Sequence, residues 1–302
     1  MMDIKKELLA LLPENYYSSA ADLDYISASQ MKAFENCEAA AMAALHGETE
    51  KPAPSTALLV GSYVDAALGA PGELDAFLSS HPEIVNSRTG QPKADFARAG
   101  AIVDRCKSDR LFRALTADAP DSCKQVILSG VIARCPMKGK ADYLYSVDYL
   151  EKLAEDFRDT PWEDFFRYCV SAGGLLADLK TAADTAEQWD ADLGERVPWA
   201  IAWHYPRQLA IYRELFRQKS GHTVPCLLLV ASKEPATSLL ALSVGGGDLD
   251  EALADAMAIA PRVQAVKDGT ITPESCGHCA YCRSVRRLEQ MGPVDFRFAA
   301  DF

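Results

Sequence analysis

A chain of 302 residues with 49% hydrophobic and 25% charged side chains has the composition of a folded globular protein, which excludes disordered and fibrous classes. Its 43 acidic against 31 basic residues give a net charge of −12, so it does not grip nucleic acid by bulk electrostatics as a basic phosphate binder does. A metal site assembled by carboxylates can still present positive charge to DNA locally.

The first third reads as helical. Ser27-Ala28-Ser29-Gln30 is a capping-box pattern and predicts a helix running to Leu45 and stopping at Gly47. Further helices are expected over residues 56–68 and 94–107. The period then changes to that of strands. Residues 124–134 and 137–146 are rich in β-formers and read as a hairpin around Cys135-Pro136. The acidic stretch 148–164 is expected to be a solvated insertion. Gly173-Gly174 leads into a short strand, 175–181, and an amphipathic helix follows near 199–218. Two more strands, 224–231 and 238–244, precede a helix over 248–266. Helices, hairpin, strand, helix, strands and helix in that order predict an α/β fold, a mixed central sheet flanked by helices. The expected organisation is one domain over 1–302, with a helical N-terminal part, 1–120, and a Cys-rich tail, 273–302.

No apolar run approaches the ~18 residues of a membrane span. The longest runs, 56–60 and 226–231, are element-sized. The opening residues Met1 to Glu7 mix charges and lead into no apolar region, so no signal peptide is expected and the expected location is cytoplasmic. Nine cysteines, an odd number, argue against a disulfide framework. Five of them, Cys106, Cys123, Cys135, Cys169 and Cys226, are scattered and are expected as small buried hydrophobes.

Two strand segments carry a chemical pattern. In Lys138-Gly139-Lys140-Ala141-Asp142-Tyr143-Leu144, alternation puts Lys138, Lys140 and Asp142 on one face. In Leu175-Leu176-Ala177-Asp178-Leu179-Lys180-Thr181, Asp178 and Lys180 share a face while Ala177 and Leu179 can enter the core. Neighbouring strands of this kind set two carboxylates and a lysine around one point. Phosphodiester hydrolysis needs that set. Carboxylate oxygens hold Mg²⁺, the metal lowers the pKa of a water and neutralises developing charge, and an ammonium orients the water or shares that charge. The alternative is a salt bridge on a half-exposed strand. Downstream, Gln208 and Tyr212 stand at i and i+4 on one helix face. Upstream, Gly61 and Asp65 are one turn apart. A glycine inside a helix costs about 1 kcal/mol relative to alanine, so Gly61 points to close packing or ligand approach.

In order, these motifs are a helix with Gly-x-x-x-acid, a strand with Asp, a strand with Asp-x-Lys and a helix with Gln-x-x-x-Tyr. The arrangement resembles the PD-(D/E)XK nuclease superfamily in its RecB-like branch, nearest to the phage and prophage RecE-type exodeoxyribonuclease VIII group. The resemblance covers residues 27–288 and includes Ser55 to Asp65 and Asp178-Leu179-Lys180-Thr181. It implies a restriction-endonuclease-like fold and a Mg²⁺- or Mn²⁺-dependent exonuclease that resects double-stranded DNA ends. Asp142 and Asp178 would be metal ligands and Lys180 the catalytic lysine. Gln208 and Tyr212 would lie near the DNA end. Asp65 stands where relatives often carry His, and an Asp there can also bind metal. The resemblance further implies a RecT-type single-strand annealing partner and a homo-oligomeric ring. The rival expectation is a nuclease-fold protein that binds DNA ends or a partner without cutting, favoured by the −12 charge.

Cys276-Gly277-His278-Cys279-Ala280-Tyr281-Cys282 packs three thiols into seven residues, a spacing at which thiolates converge on one metal or cluster. RecB-like relatives resemble this layout, with one cysteine before the nuclease core and three after it. The resemblance implies that Cys37, Cys276, Cys279 and Cys282 hold a 4Fe-4S iron–sulfur cluster. The alternatives are Zn²⁺, with His278 able to replace Cys37, or no metal. Arg283, Arg286 and Arg287 follow, placed either for DNA phosphates or as a solvated helix face.

Overall fold

The computed structural model describes residues 8–49, 54–86, 88–90, 92–190, 194–197, 199–202 and 205–286. The expectations for residues 1–7, for Arg287 and for the tail beyond residue 286 lie outside the described residues.

The N-terminal helices are α1 (Ser19–Asp24), α2 (Ala28–Asn36), α3 (Glu38–Leu45), α4 (Thr56–Leu68), α5 (Glu73–Ser80), α6 (Ala94–Ser108) and α7 (Arg110–Leu115). Side-chain oxygens of Ser18, Ser27, Ser55 and Asp109 cap α1, α2, α4 and α7 by accepting free backbone N–H groups of the first turn. The single helix expected from Ser27 to Leu45 is two helices. Cys37 is extended, with φ −171° and ψ 109°, and its thiol is committed elsewhere, as described below. In α4, Val60, Val64 and Leu68 are buried at four-residue spacing, the stripe by which an amphipathic helix meets its core.

Strands β1 (Lys124–Ile132) and β2 (Cys135–Tyr145) follow. Their turn is Ala133-Arg134, both at positive φ, 49° and 65°, and not Cys135-Pro136. Two left-handed residues give a hairpin turn whose twist matches that of the strands, and Pro136 is accommodated next to the start of β2. The acidic stretch is no solvated insertion. It forms α8 (Val147–Asp156) and the first turn of α9 (Pro161–Ala172). Tyr149, Leu150, Leu153 and Ala154 face inward, as do Phe157 and Phe166, while Asp148, Glu151, Glu155 and Asp156 face water. The acids counted in sequence are therefore the outer faces of amphipathic helices.

The rest comprises β3 (Leu175–Ala182), β4 (Gln188–Asp190), β5 (Glu195–Val197), α10 (Trp199–Ala202), α11 (Tyr205–Ser220), β6 (Cys226–Ser232), β7 (Leu239–Val244), α12 (Gly246–Lys267) and α13 (Ala280–Val285). The five-stranded sheet has the order β1-β2-β3-β6-β7. β2 pairs antiparallel with β3, in register Tyr143↔Ala177. β3 pairs parallel with β6, Asp178↔Leu228, and β6 antiparallel with β7. The mixed sheet expected from the element order is thus present, flanked by helices. β4 and β5 form a separate two-stranded ribbon. Among the described residues no helix is long and apolar enough to cross a membrane.

The chain divides into two compact units. One comprises Met1–Pro52, Ser129–Lys138 and Asp255–Phe302; the other comprises Ala53–Leu128 and Gly139–Ala254. In the first unit, Lys138 is almost fully buried; its ammonium donates to the Tyr16 carbonyl at 2.5 Å and pairs with Asp22 at 2.8 Å. Ile26 and Met137 form an isolated parallel bridge beside it. The second unit holds the main core, including Val64, Ile102, Leu115, Tyr145, Leu150, Phe166, Leu175 and Leu229. Cys106, Cys123, Cys169 and Cys226 are buried in it and Cys135 in the first unit, as expected of small hydrophobes.

Two glycines set the spacing of this second unit. A Cβ on Gly61 would lie 3.1 Å from Thr181 Oγ1, so α4 lies close against β3. A Cβ on Gly139 would overlap the Tyr212 ring, so α11 sits directly on β2.

Leu150→Ala is expected to destabilise the protein by about 2–5 kcal/mol, while Glu151→Ala stays within about 0.5 kcal/mol. Urea denaturation measures both, and equal small effects would restore the solvated insertion. Gly139→Ala is expected to cost about 1–3 kcal/mol through overpacking against Tyr212, read in the same way.

Candidate functional site

The carboxylate site is built on β2 and β3. β3 is buried nearly throughout, as a strand with neighbours on both edges must be. Ala177 and Leu179 enter the main core, which turns Asp178 and Lys180 to the other face. Asp178 is 1% exposed. One of its oxygens, Oδ1, accepts a hydrogen bond from Gln208 Nε2 at 2.9 Å. The other, Oδ2, is buried and accepts no hydrogen bond of ordinary geometry; the Lys180 ammonium stands beside it at 2.5 Å.

Asp142 lies one residue past the Tyr143↔Ala177 pair, on the neighbouring strand. Its Oδ2 accepts from the Leu179 backbone N–H at 2.9 Å and its Oδ1 from Gln125 Nε2 at 3.3 Å. Asp65 reaches the same charge cluster from α4, one turn beyond the Gly61 contact. From α11, Gln208 Nε2 donates to the Tyr212 hydroxyl, also at 2.9 Å. The site therefore gathers Asp65, Asp142, Asp178, Lys180, Gln208 and Tyr212, residues that lie up to 147 positions apart in the chain.

The electrostatics show an excess of negative charge. Burial pushes the Asp178 carboxyl up to about 7 although Lys180 pulls it down, with Asp142 adding to the rise. Burial, then the Asp142 charge, raises Asp65 well above the usual carboxylate range. Burial alone would discharge Lys180, but Asp178, Asp142 and Asp65 outweigh it and hold the ammonium charged above its ordinary value. Its ammonium also lies 5.2 Å from the centre of the Tyr205 ring. Three acids gathered around one lysine, two of them raised by burial and by their neighbours' charge, fit an added divalent cation. Asp142 and Asp178 would hold it, with Asp65 next in reach.

Gln125 and Gly139 were not singled out as site residues by the sequence. Gln125 has a positive φ, 51°, uncommon for a residue with a side chain, and it orients Asp142. Gly139 makes room for Tyr212. Neither carries a local signal, because each is defined by a partner on another element.

The second cluster lies wholly in the first unit. Cys37, Cys276, Cys279 and Cys282 bring their sulfurs within 4.8 Å of one another. Cys37 Sγ is 3.5 Å from Cys282 Sγ, and Cys276 Sγ is 3.9 Å from it. Backbone N–H groups of Cys276, Cys279 and Cys282 donate to the sulfurs of Cys37, Cys276 and Cys279 respectively. The Ser275 hydroxyl donates to Cys282 Sγ at 2.8 Å and, ahead of other contributions, brings that thiol down to about 6. Backbone hydrogen bonds, first that from His278, lower Cys276 as well. For Cys279, a lowering hydrogen bond from Cys282 is outweighed by desolvation and the neighbouring thiols, which raise it to about 11. His278 is turned to the Cys276 carbonyl at 2.9 Å, so Cys37 and not His278 completes the quartet.

An ion-pair knot positions these segments. Arg262 on α12 makes two bonds to Glu38, at 2.7 and 2.9 Å, and one to Glu274. The backbone of Glu274 donates to Glu38 and accepts from Ala39. Glu38 follows Cys37, and Glu274 lies two residues before Cys276. The quartet could hold a metal. Arg283 and Arg286 lie on the exposed side of the segment that follows.

Comparison with known proteins agrees with this geometry. The family model described as a PDDEXK-like domain of unknown function (DUF3799) matches residues 27–164 and 152–285 in two overlapping segments. The crystal structure of a candidate exonuclease from Eubacterium rectale is similar at a TM-score of 0.79 and 30% identity, over 97% of this chain and 100% of that one. No protein of curated function matches significantly. The chain belongs to the PDDEXK-like family, and its central sheet has the PD-(D/E)XK nuclease fold.

Proposed function

We propose that the protein is a divalent-metal-dependent DNA exonuclease that resects double-stranded ends. The observation that carries this reading is the gathering of Asp178, Asp142 and Asp65 around a single lysine, with the buried Asp178 Oδ2 paired to Lys180. One lysine offsets the charge of three acids only in part, and an added divalent cation would complete that balance. The family membership and the E. rectale neighbour support the same chemistry.

A Mg²⁺ or Mn²⁺ ion held by Asp142 and Asp178 would supply Lewis-acid activation of water and neutralisation of charge on the phosphate. The protein's own residues do the positioning. Lys180 brings a fixed positive charge to the face where phosphate charge develops. Gln208 fixes the Asp178 carboxylate and Tyr212 fixes Gln208, so α11 holds the first acid in one rotamer. Gln125 and the Leu179 N–H hold Asp142 in the same sense. A RecE-type role belongs to this proposal, with prophage-type recombination as its setting and a RecT-type annealing protein as the consumer of the resected strand. A homo-oligomeric ring threaded by DNA also belongs to it. The −12 charge favours the rival reading, an end-binding nuclease fold that does not cut. It also makes DNA binding depend on the added cation.

The cysteine quartet is proposed to be structural and not catalytic, a metal clamp. It joins residue 37 to the segment 276–282, a closure whose benefit grows only logarithmically with length. The RecB-like resemblance supports a 4Fe-4S cluster there and the ligand type equally allows Zn²⁺.

Linear duplex is expected to be degraded with Mg²⁺ or Mn²⁺ and to survive in EDTA, while covalently closed circles survive in both. Rapid cutting of closed circles would indicate an endonuclease instead. Asp178→Ala and Lys180→Ala should each lower the rate at least about 10²-fold with unchanged circular dichroism. Wild-type digestion by Asp178→Ala, or no digestion by the wild type with any divalent metal, would sink the enzyme reading.

A further inference from the structure

The spacing of the four sulfurs discriminates between a cluster and a single ion. Four thiolates around one tetrahedral zinc, with Zn–S about 2.3 Å, stand about 3.8 Å apart. The observed Cys37–Cys282 and Cys276–Cys282 separations are 3.5 and 3.9 Å. All four sulfurs lie within 4.8 Å of one another, so a central point lies within roughly 2.9 Å of each, close to a zinc–thiolate bond. A 4Fe-4S cubane needs more room. Each cysteine binds a different iron, and each sulfur stands a full bond outside its own corner. Sulfurs so close together leave no space for the cubane between them.

The surrounding chain agrees with the shorter spacing. Three successive N–H···S bonds, from Cys276, Cys279 and Cys282, wind the segment tightly around the sulfurs. The last of these, from Cys282 N–H to the Cys279 thiol, is also the cap of α13. The Arg262–Glu38–Glu274 knot ties the Cys37 side to the Cys276 side independently of the sulfurs. Opening the quartet to cluster size would have to pull against both.

Resting on the reading of the quartet as a metal clamp, we infer that Cys37, Cys276, Cys279 and Cys282 hold one tetrahedral zinc ion and not an iron–sulfur cluster. The site is closed by four protein ligands, which leaves no coordination position for substrate. Its role is to fasten the residue-37 bend between α2 and α3 to the Cys-rich segment.

Full-length protein purified without oxygen and analysed for metals and acid-labile sulfide tests this without reference to DNA cleavage. The expected result is colourless protein with about one zinc per chain and no sulfide. Exchange with Co²⁺ should give thiolate-to-cobalt charge-transfer absorption and the intense visible bands of a tetrahedral tetrathiolate centre. Cys279→Ser should lower both the zinc content and the Tm. Brown protein carrying iron and acid-labile sulfide would overturn the single-ion assignment and leave the clamp standing. Protein free of zinc and iron, with the Tm of Cys279→Ser unchanged, would overturn the clamp as well. Neither result depends on whether the carboxylate site cuts DNA.

Discussion

A carboxylate in the middle of a buried strand is the constraint on which the second unit depends. Asp178 sits in β3 between β2 and β6, where a lone charge would cost several kcal/mol. The fold meets this cost with directed partners. Lys180 stands two residues along the same face. Gln208 reaches down from α11, and Gly139 lets that helix approach closely enough for Tyr212 to support Gln208. Gly61 brings α4 against Thr181 in the same way and delivers Asp65. The partners nevertheless leave two acids with raised pKa values beside a single lysine. A strand selected for stability alone would carry an apolar residue at this position.

Much of this was legible in the sequence, for physical reasons. Strand alternation places Asp178 with Lys180, and helical spacing places Gln208 with Tyr212 and Gly61 with Asp65, because both periods are fixed by backbone geometry. The capping serine Ser27 marked the start of α2 correctly. What the sequence hid was long-range. Gln125 and Gly139 acquire meaning through Asp142 and Tyr212, partners on other elements. Residues 148–164 look solvated when their charges are counted, yet Tyr149, Leu150, Leu153 and Phe157 keep the spacing of a buried helix face. The continuous helix expected through Cys37 failed because helix propensity is weak against a tertiary demand on one side chain. That demand is the sulfur quartet, 239 positions away at Cys276.

The two candidate sites differ in the metal chemistry their donors suit. The carboxylates are hard oxygen donors in a charge cluster with an excess of acids, suited to a cation that is bound weakly and exchanges. The cysteines are soft ligands in a closed quartet, suited to a cation that stays. One belongs to the unit holding the sheet core and the other to the unit holding both ends of the described chain.

The Asp178 cluster is proposed as a divalent-cation site. Anomalous diffraction from crystals soaked in Mn²⁺ tests it most directly. The expected result is an anomalous peak bound by the Asp142 and Asp178 carboxylates and lost in Asp178→Asn. A fully soaked crystal with no peak there, and with Lys180 still paired to Asp178, would contradict it.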